Sequence, residues 1–134
     1  MDKALQLLSL ARKGRRVEVG EEPVDTCVRT GHARLILVAS DASEHTLRRI
    51  KNITAGTHQP WLRVEYTKQD LGWSVGRGVC AVAALTDAAL AKAFVEALGQ
   101  PEKHADLLAD LNARAERIRK RQKSEKTQRK QGKK

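Results

Sequence analysis

A serine, an aspartate and a histidine stand close together after an apolar run, where a hydrolase could place a nucleophile, an orienting acid and a base. These residues are Ser40, Asp41 and His45. A catalytic triad also needs an oxyanion hole and a sharp turn that exposes the nucleophile, and the sequence has neither signature. Because Asp41 has a simpler role in forming a turn, we expect no catalytic residues here.

Metal and thiol chemistry find little support in the sequence. The four histidines are far apart and lack the spacing of metal ligands. Cys27 lies on the apolar face of a predicted helix, and Cys80 lies in a run of small apolar residues. A free cysteine in such surroundings behaves as a small buried hydrophobic residue. The sequence therefore predicts no metal site, no cofactor and no nucleophilic cysteine.

Basic side chains are the most abundant groups that could bind a ligand. The formal net charge is +10, and basic proteins attract polyanions. Residues 1–100 hold 14 basic and 11 acidic side chains (+3), whereas residues 101–134 hold 12 and 5 (+7). No residue from Arg119 onward is apolar, which predicts a disordered arm that neutralises phosphates. A solubilising extension is the alternative. The candidate RNA contacts of this tail are Arg119, Lys120, Arg121 and Lys123.

Further arginines flank predicted turns, line a helix or separate two glycines. They are Arg15, Arg16, Arg48, Arg49 and Arg77. The loop Gly76-Arg77-Gly78 lacks the spacing of a P-loop, but its backbone can approach a ligand closely. If the turns at Gly20, Asp41 and Gly76 share one end of a sheet, these arginines could form one basic surface. Separate solvated clusters are the alternative.

Aromatic side chains are scarce, which argues against a module that stacks RNA bases on the face of a sheet. Of the four, Trp73 is the one that stands near a candidate binding loop. We expect all four to pack in a core or an interface.

The elements that must position these residues alternate along the chain. Helical spacing of apolar residues predicts helices over 4–13, 20–31, 43–56, 67–76 and 88–98. A short extended stretch covers 15–20, and strands cover 35–39, 62–66 and 79–85. The segments 35–39 and 79–85 are apolar throughout, which is typical of strands that are buried on both faces. The segment 62–66 alternates between apolar and polar residues, which is typical of a strand near an edge of the sheet. A final amphipathic helix leads into the tail. This order predicts an α/β protein with helices on both faces of one sheet.

The 134 residues fit one domain and exclude several classes of protein. Two cysteines are too few for a disulfide framework. No apolar run approaches the roughly 20 residues that cross a bilayer. The N-terminus does not resemble a signal peptide, because it has an acid at position 2 and helically spaced apolar residues. We expect a reduced, cytoplasmic protein with no membrane partner.

Three segments resemble the bacterial YlxQ-type proteins, small members of the kink-turn-binding ribosomal L7Ae/L30e superfamily. The segments are LLSLARKGRRVEVGEE, GHARLILVASDASEHTLRRI and DLGWSVGRGVCAVAALTDAALAKAF. The resemblance implies a three-layer α/β/α sandwich around a four-stranded mixed sheet, with RNA bound at one end. It divides the chain into an RNA-binding domain (1–100) and a basic tail (101–134) that is partly helical and then disordered.

The resemblance also implies which residues contact RNA. They are Gly20, Glu21, Glu22, Pro23, Thr26, Val75, Gly76, Arg77 and Gly78. Classical kink-turn binders have Gly-x-Asn-Glu-x-x-Lys at the first of these positions, whereas this chain has Glu22, Pro23 and Thr26 in place of Asn, Glu and Lys. A carboxylate cannot donate a hydrogen bond as an amide does, and threonine carries no charge. We expect the fold to carry over and the specific kink-turn reading to be lost.

Three functions remain open on this basis. The first is a non-catalytic protein that binds structured RNA, for which ribosomal RNA is a candidate. The second is a protein-interaction or assembly factor that keeps the fold without kink-turn specificity. The third, the substrate-binding domain of an RNA methyltransferase, ranks last because no methyltransferase domain follows in the sequence.

Overall fold

Helices and strands alternate along the chain as the sequence predicted. The computed structural model describes residues 2–131, with the side chains of residues 2–121. Its elements are α1 (Lys3–Lys13), β1 (Val17–Val19), α2 (Glu21–Arg29), β2 (Leu35–Val38), α3 (Glu44–Thr54), β3 (Trp61–Arg63), α4 (Lys68–Ser74), β4 (Val82–Leu85), α5 (Ala88–Ala97) and α6 (Ala105–Gln131).

The four strands form one mixed sheet in the order β1-β4-β2-β3. Strand β4 is antiparallel to both β1 and β2, whereas β3 runs parallel to β2. Every residue of the two central strands, β2 and β4, is buried, and β3 lies half-exposed at one edge. The central and edge positions are as the patterns predicted. The bounds differ, because β3 ends at Arg63 and not at residue 66, and β4 begins at Val82 and not at residue 79, where Val79 is 68% exposed.

Alternate residues of the central strands contribute to two cores, one on each face of the sheet. Leu35 and Leu37 pack in the core under α1, α4, α5 and α6. Ile36 and Val38 pack in the core under α2 and α3. The three-layer α/β/α arrangement is therefore confirmed.

Side-chain caps fix the starts of several helices. Ser43 accepts a hydrogen bond from the Thr46 N–H at the start of α3. Thr67 and Asp70 form a reciprocal capping box at the start of α4. Each cap supplies a partner for an N–H that has none within its own helix.

The last helix joins the core with its first half and leaves it with its second. Leu111 is fully buried and Ala115 is nearly so, where α6 packs against α5. The helix then continues to Gln131, over residues for which composition alone predicted a disordered arm. Straight-chain basic residues favour helix, and a helix that has already formed extends without a new nucleation cost. Residues 132–134 of the predicted tail lie outside the described residues.

Among the described residues, no helix is long and apolar enough to cross a lipid bilayer.

Candidate nucleic-acid interface

Several turns meet at the end of the sheet where β1, β2 and β3 finish and β4 begins. The Gly20 N–H donates to the carbonyl of Val82 at 3.1 Å, which joins the turn after β1 to the start of β4. The carboxylate of Asp41 accepts from the Lys68 N–H at 2.7 Å, which joins the turn after β2 to the start of α4. The turns at Gly20 and Asp41 therefore lie at this end, and the loop that contains Gly76 leads into it at the start of β4.

We use the name sheet-end surface for residues 20–26 and 75–78. The first segment turns from β1 into α2, and the second connects α4 to the start of β4. Gly20 has φ +104°, a backbone conformation that favours glycine. Pro23 lies in the first turn of α2, where a helix does not use the N–H that proline lacks. Sequence and geometry therefore agree on how this turn enters α2.

Glu21 does not point freely toward a ligand, because α3 holds its carboxylate. The hydroxyl of Thr46 donates to Glu21 Oε1 at 2.7 Å, and Arg49 lies 3.4 Å from Glu21 Oε2. The same guanidinium lies 3.6 Å from the carboxylate of Asp25. Arg49 therefore compensates two acids at the start of α2 and couples α2 to α3.

Glu22 and Thr26 stand where a classical kink-turn binder has its asparagine and lysine, and they line an acidic cavity. Its volume is about 600 Å³, and Glu18 adds a second carboxylate. The remaining lining residues are Pro23, Cys27, Thr30, His32 and Thr86. Two carboxylates disfavour a phosphate here, so this part of the surface suits a donor-bearing group better than an RNA backbone.

The loop after α4 is held against that helix by a close backbone contact. A Cβ added to Gly72 would lie 2.7 Å from the Cα of Val79, and the Arg77 N–H donates to the Gly72 carbonyl at 2.7 Å. Gly76, with φ +73°, Arg77 and Gly78 are exposed beyond this contact. A glycine inside a predicted helix is a signal of such a close approach, although the sequence does not show what approaches it.

Not all predicted contacts face outward at the sheet end. Val75 is only 1% exposed, so its side chain belongs to the core and only its backbone is near the surface. Arg48 is exposed on α3, next to the Arg49 that pairs with acids.

Arg15 and Arg16 lie at the opposite end of the sheet. The carbonyl of Arg16 accepts from the Thr86 N–H at 2.9 Å, after β4 has ended, and the Arg16 guanidinium pairs with Asp87. Arg34 and Arg119 line a cavity at this same end. We use the name far-end surface for Arg15, Arg16, Arg34 and Arg119. The predicted single basic surface is therefore divided between two ends of the molecule.

The basic tail leaves the molecule from the far end. Arg119, Lys120 and Arg121 are exposed as α6 passes this end. Twelve further residues of helix extend about 18 Å at 1.5 Å per residue. Lys123 lies in this helix, beyond the residues whose side chains are described.

The residues considered for other chemistry have structural partners or are buried. Asp41, the candidate orienting acid, binds the backbone of α4. Cys27 and Cys80 are buried, and burial raises the pKa of the Cys80 thiol to about 11. Among the described residues, no group of three His, Cys, Asp or Glu side chains could hold a metal ion.

The fold and this surface define a class: small α/β/α proteins that present a glycine turn and a glycine-rich loop at one end of a mixed sheet. The profile of the ribosomal protein L7Ae/L30e/S12e/Gadd45 family matches residues 2–95. The chain therefore belongs to this family.

Individual relatives agree with this assignment. The chain is 33% identical over 92 residues to the RNA-binding protein YlxQ of Bacillus subtilis, covering 69% of this chain and 91% of that protein. A solved structure of a protein of unknown function from Bacillus halodurans matches with a TM-score of 0.68 and 28% identity, covering 74% of this chain and 99% of that one. The 15.5 kD RNA-binding protein of Giardia lamblia shares the fold with a TM-score of 0.61 at 20% identity, covering 74% and 84% of the two chains.

Proposed function

We propose that this protein is a non-catalytic RNA-binding protein of the cytoplasm that holds a structured RNA on its sheet-end surface. The observation that carries the proposal is that the Gly20–Glu22 turn is bonded to the start of β4, into which the exposed loop Gly76–Gly78 leads. A B. subtilis relative named as an RNA-binding protein shares 33% identity, which supports the same ligand class. Folded ribosomal RNA is the candidate ligand, and a kink-turn RNA is the structured motif that the test uses.

The arrangement favours recognition of RNA shape over the classical kink-turn contacts. Glu22 and Thr26 cannot supply the amide donor and the positive charge of the classical pattern. The compensation of Glu21 and Asp25 by Arg49 removes two repulsive charges from the path of a phosphate. Arg77 and the glycine backbone beside it then offer the donors that face solvent.

The basic tail would add affinity at a second place on the RNA. Each phosphate that Lys or Arg neutralises releases counterions, whatever the sequence. Because the tail leaves from the far end, its contacts and those of the sheet-end surface fall on different parts of one RNA. Arg15 and Arg16 belong with the tail in this proposal.

The test is a binding titration at physiological salt with a kink-turn RNA and a plain duplex of matched length. The full chain is compared with residues 1–118, which retain the buried Leu111 and Ala115. A shape preference by residues 1–118, lost on replacing Arg77 by Gln, supports the proposal. The matched control is Arg117→Gln, which removes one exposed arginine of α6 outside both surfaces. Equal binding to both RNAs by the full chain, and none by residues 1–118, would make the tail the binder.

The alternative function, a protein-interaction or assembly factor, is favoured by a single observation. Leu10, Trp73 and Val79 are large apolar side chains that remain exposed. Failure of both forms of the protein to bind RNA would leave this alternative as the better explanation of the surface.

A further inference from the structure

An exposed tryptophan lies in a groove between α1 and α4. Trp73 is 67% exposed and Leu10, across the groove, is 58% exposed. Trp73 therefore does not pack in the core of this chain, which leaves an interface as the other predicted place for it. Exposed apolar surface of this kind is typical of a site that binds a ligand or a partner.

The groove is a formed feature of the fold with a volume of about 740 Å³. The hydroxyl of Ser9 on α1 donates to the carbonyl of Ser74 on α4 at 2.7 Å, which fixes the two helices across it. Val75 and Gly76 belong to the lining as well, so the groove is continuous with the sheet-end surface.

The charge of the groove is positive. Arg12 and Lys13, in the last turn of α1, contribute to its lining. Among the described residues, no acidic side chain lines it. This composition is the opposite of that of the acidic cavity lined by Glu18 and Glu22. The groove therefore favours an anionic occupant with a flat apolar part.

We propose that the groove binds an unpaired nucleotide of the RNA that the sheet-end surface holds. The base stacks on the indole of Trp73, and its phosphate lies against Arg12 and Lys13. Stacking on an aromatic side chain tolerates any base, and phosphate neutralisation tolerates any sequence. The inference rests on the proposed function, because the nucleotide must be joined to the RNA on the sheet-end surface.

An unpaired nucleotide fits better than a paired one for a steric reason. In a duplex the faces of the bases are already stacked on their neighbours, so only an unstacked base can offer its face to an indole. An acidic peptide with an aromatic residue has a similar chemistry, and it is therefore an outcome that the experiment must separate.

The experiment uses the full chain and two forms of one kink-turn RNA, blunt or with six unpaired adenosines at each end. We expect the flanked RNA to bind about tenfold more tightly than the blunt RNA, in line with the stacking of one or two bases. Trp73→Ala should abolish this gain and leave the affinity for the blunt RNA unchanged. Trp73→Phe should keep part of the tighter binding of the flanked RNA. Trp73→Leu preserves apolar area without an aromatic ring and should lose the tighter binding.

Charge and fluorescence give independent readouts. Lys13→Gln should lower the gain, whereas Lys51→Gln, which removes one exposed charge on the other face of the sheet, should not. With Trp61→Phe as background, the fluorescence of Trp73 should be quenched by flanked RNA and unchanged by blunt RNA. Because Trp73 is exposed, its variants should have the same Tm as the parent protein.

The outcomes separate this inference from the proposed function. If the parent binds both RNAs equally and Trp73 is not quenched, the groove proposal is refuted while the proposed function stands. If neither RNA binds, the proposed function fails and this inference fails with it. Quenching by a Glu- and Phe-containing peptide, but not by flanked RNA, would assign the groove to a protein partner and overturn the proposal.

Discussion

Replacing Gly72 by Ala tests whether α4 holds the loop Gly76–Gly78 in place. The added Cβ would lie 2.7 Å from the Cα of Val79 and 2.8 Å from the carbonyl carbon and oxygen of Gly78. All three are backbone atoms, so no side-chain rotation can relieve the contact and the loop must move away from the helix. Overpacking of this kind costs about 1–3 kcal/mol of unfolding free energy. For a chain of this length that corresponds to a fall in Tm of about 4–12 °C.

The matched control is Gly78→Ala in the same loop. A Cβ on Gly78 meets no heavy atom within 4 Å, and its φ lies outside the left-handed region. Its Tm should stay within about 2 °C of the parent, since open surface substitutions cost at most about 0.5 kcal/mol. Calorimetry measures both variants, and RNA titration then compares their affinities. A Gly72→Ala variant that melts like the Gly78→Ala control would refute the idea that α4 fixes the loop.

Three other perturbations probe the remaining contacts. Arg49→Gln should weaken RNA binding several-fold and cost less than about 1 kcal/mol of unfolding free energy, as for other part-exposed ion pairs. Adding Glu21→Gln to this variant should restore RNA affinity. If the titration shows no such rescue, the idea that Arg49 compensates the charge of Glu21 is refuted. Ending the chain after Ile118 should reduce the dependence of RNA affinity on salt concentration, because fewer counterions are released; an unchanged slope between low and high salt would exclude the tail from binding. Burial raises the pKa of Cys80 from 9.0 to about 11, so the free energy of unfolding should fall as pH rises between these values. Chemical denaturation of Cys80→Ala at a series of pH values should show a smaller decrease in the free energy of unfolding over this pH range.

The elements of this fold could be predicted from the sequence because each carries local signals that agree with its packing. The β-branched and apolar run 35–39 is typical of a buried strand, and in the structure it pairs with a strand on each side. Thr67 and Asp70 have the spacing of a capping box and form one. Such signals act within a few residues, where spacing in sequence and distance in space are closely related.

The site was predicted less completely because it depends on contacts between distant residues. Arg16 is four residues from Gly20, yet an extended strand advances about 3.3 Å per residue and carries it to the far end. The pairing of Arg49 with Glu21 spans 28 positions and requires α2 and α3 to pack side by side. For the tail, the absence of apolar residues reports on burial and not on whether a helix can extend from one that is already packed.

The separation of the two basic regions determines how RNA size should affect binding. The sheet-end surface and Arg119 lie at opposite ends of a four-residue strand, about 13 Å long, and α6 continues for about 18 Å beyond Arg119. A short RNA motif on the sheet-end surface would not reach the tip of the tail, so its affinity should depend little on residues 119–134. A larger folded RNA can contact both ends, and only then do the tail's charges add to the same binding event. Under the proposed function, selectivity and bulk affinity would belong to opposite ends of the molecule, and the size of the RNA would decide whether they combine.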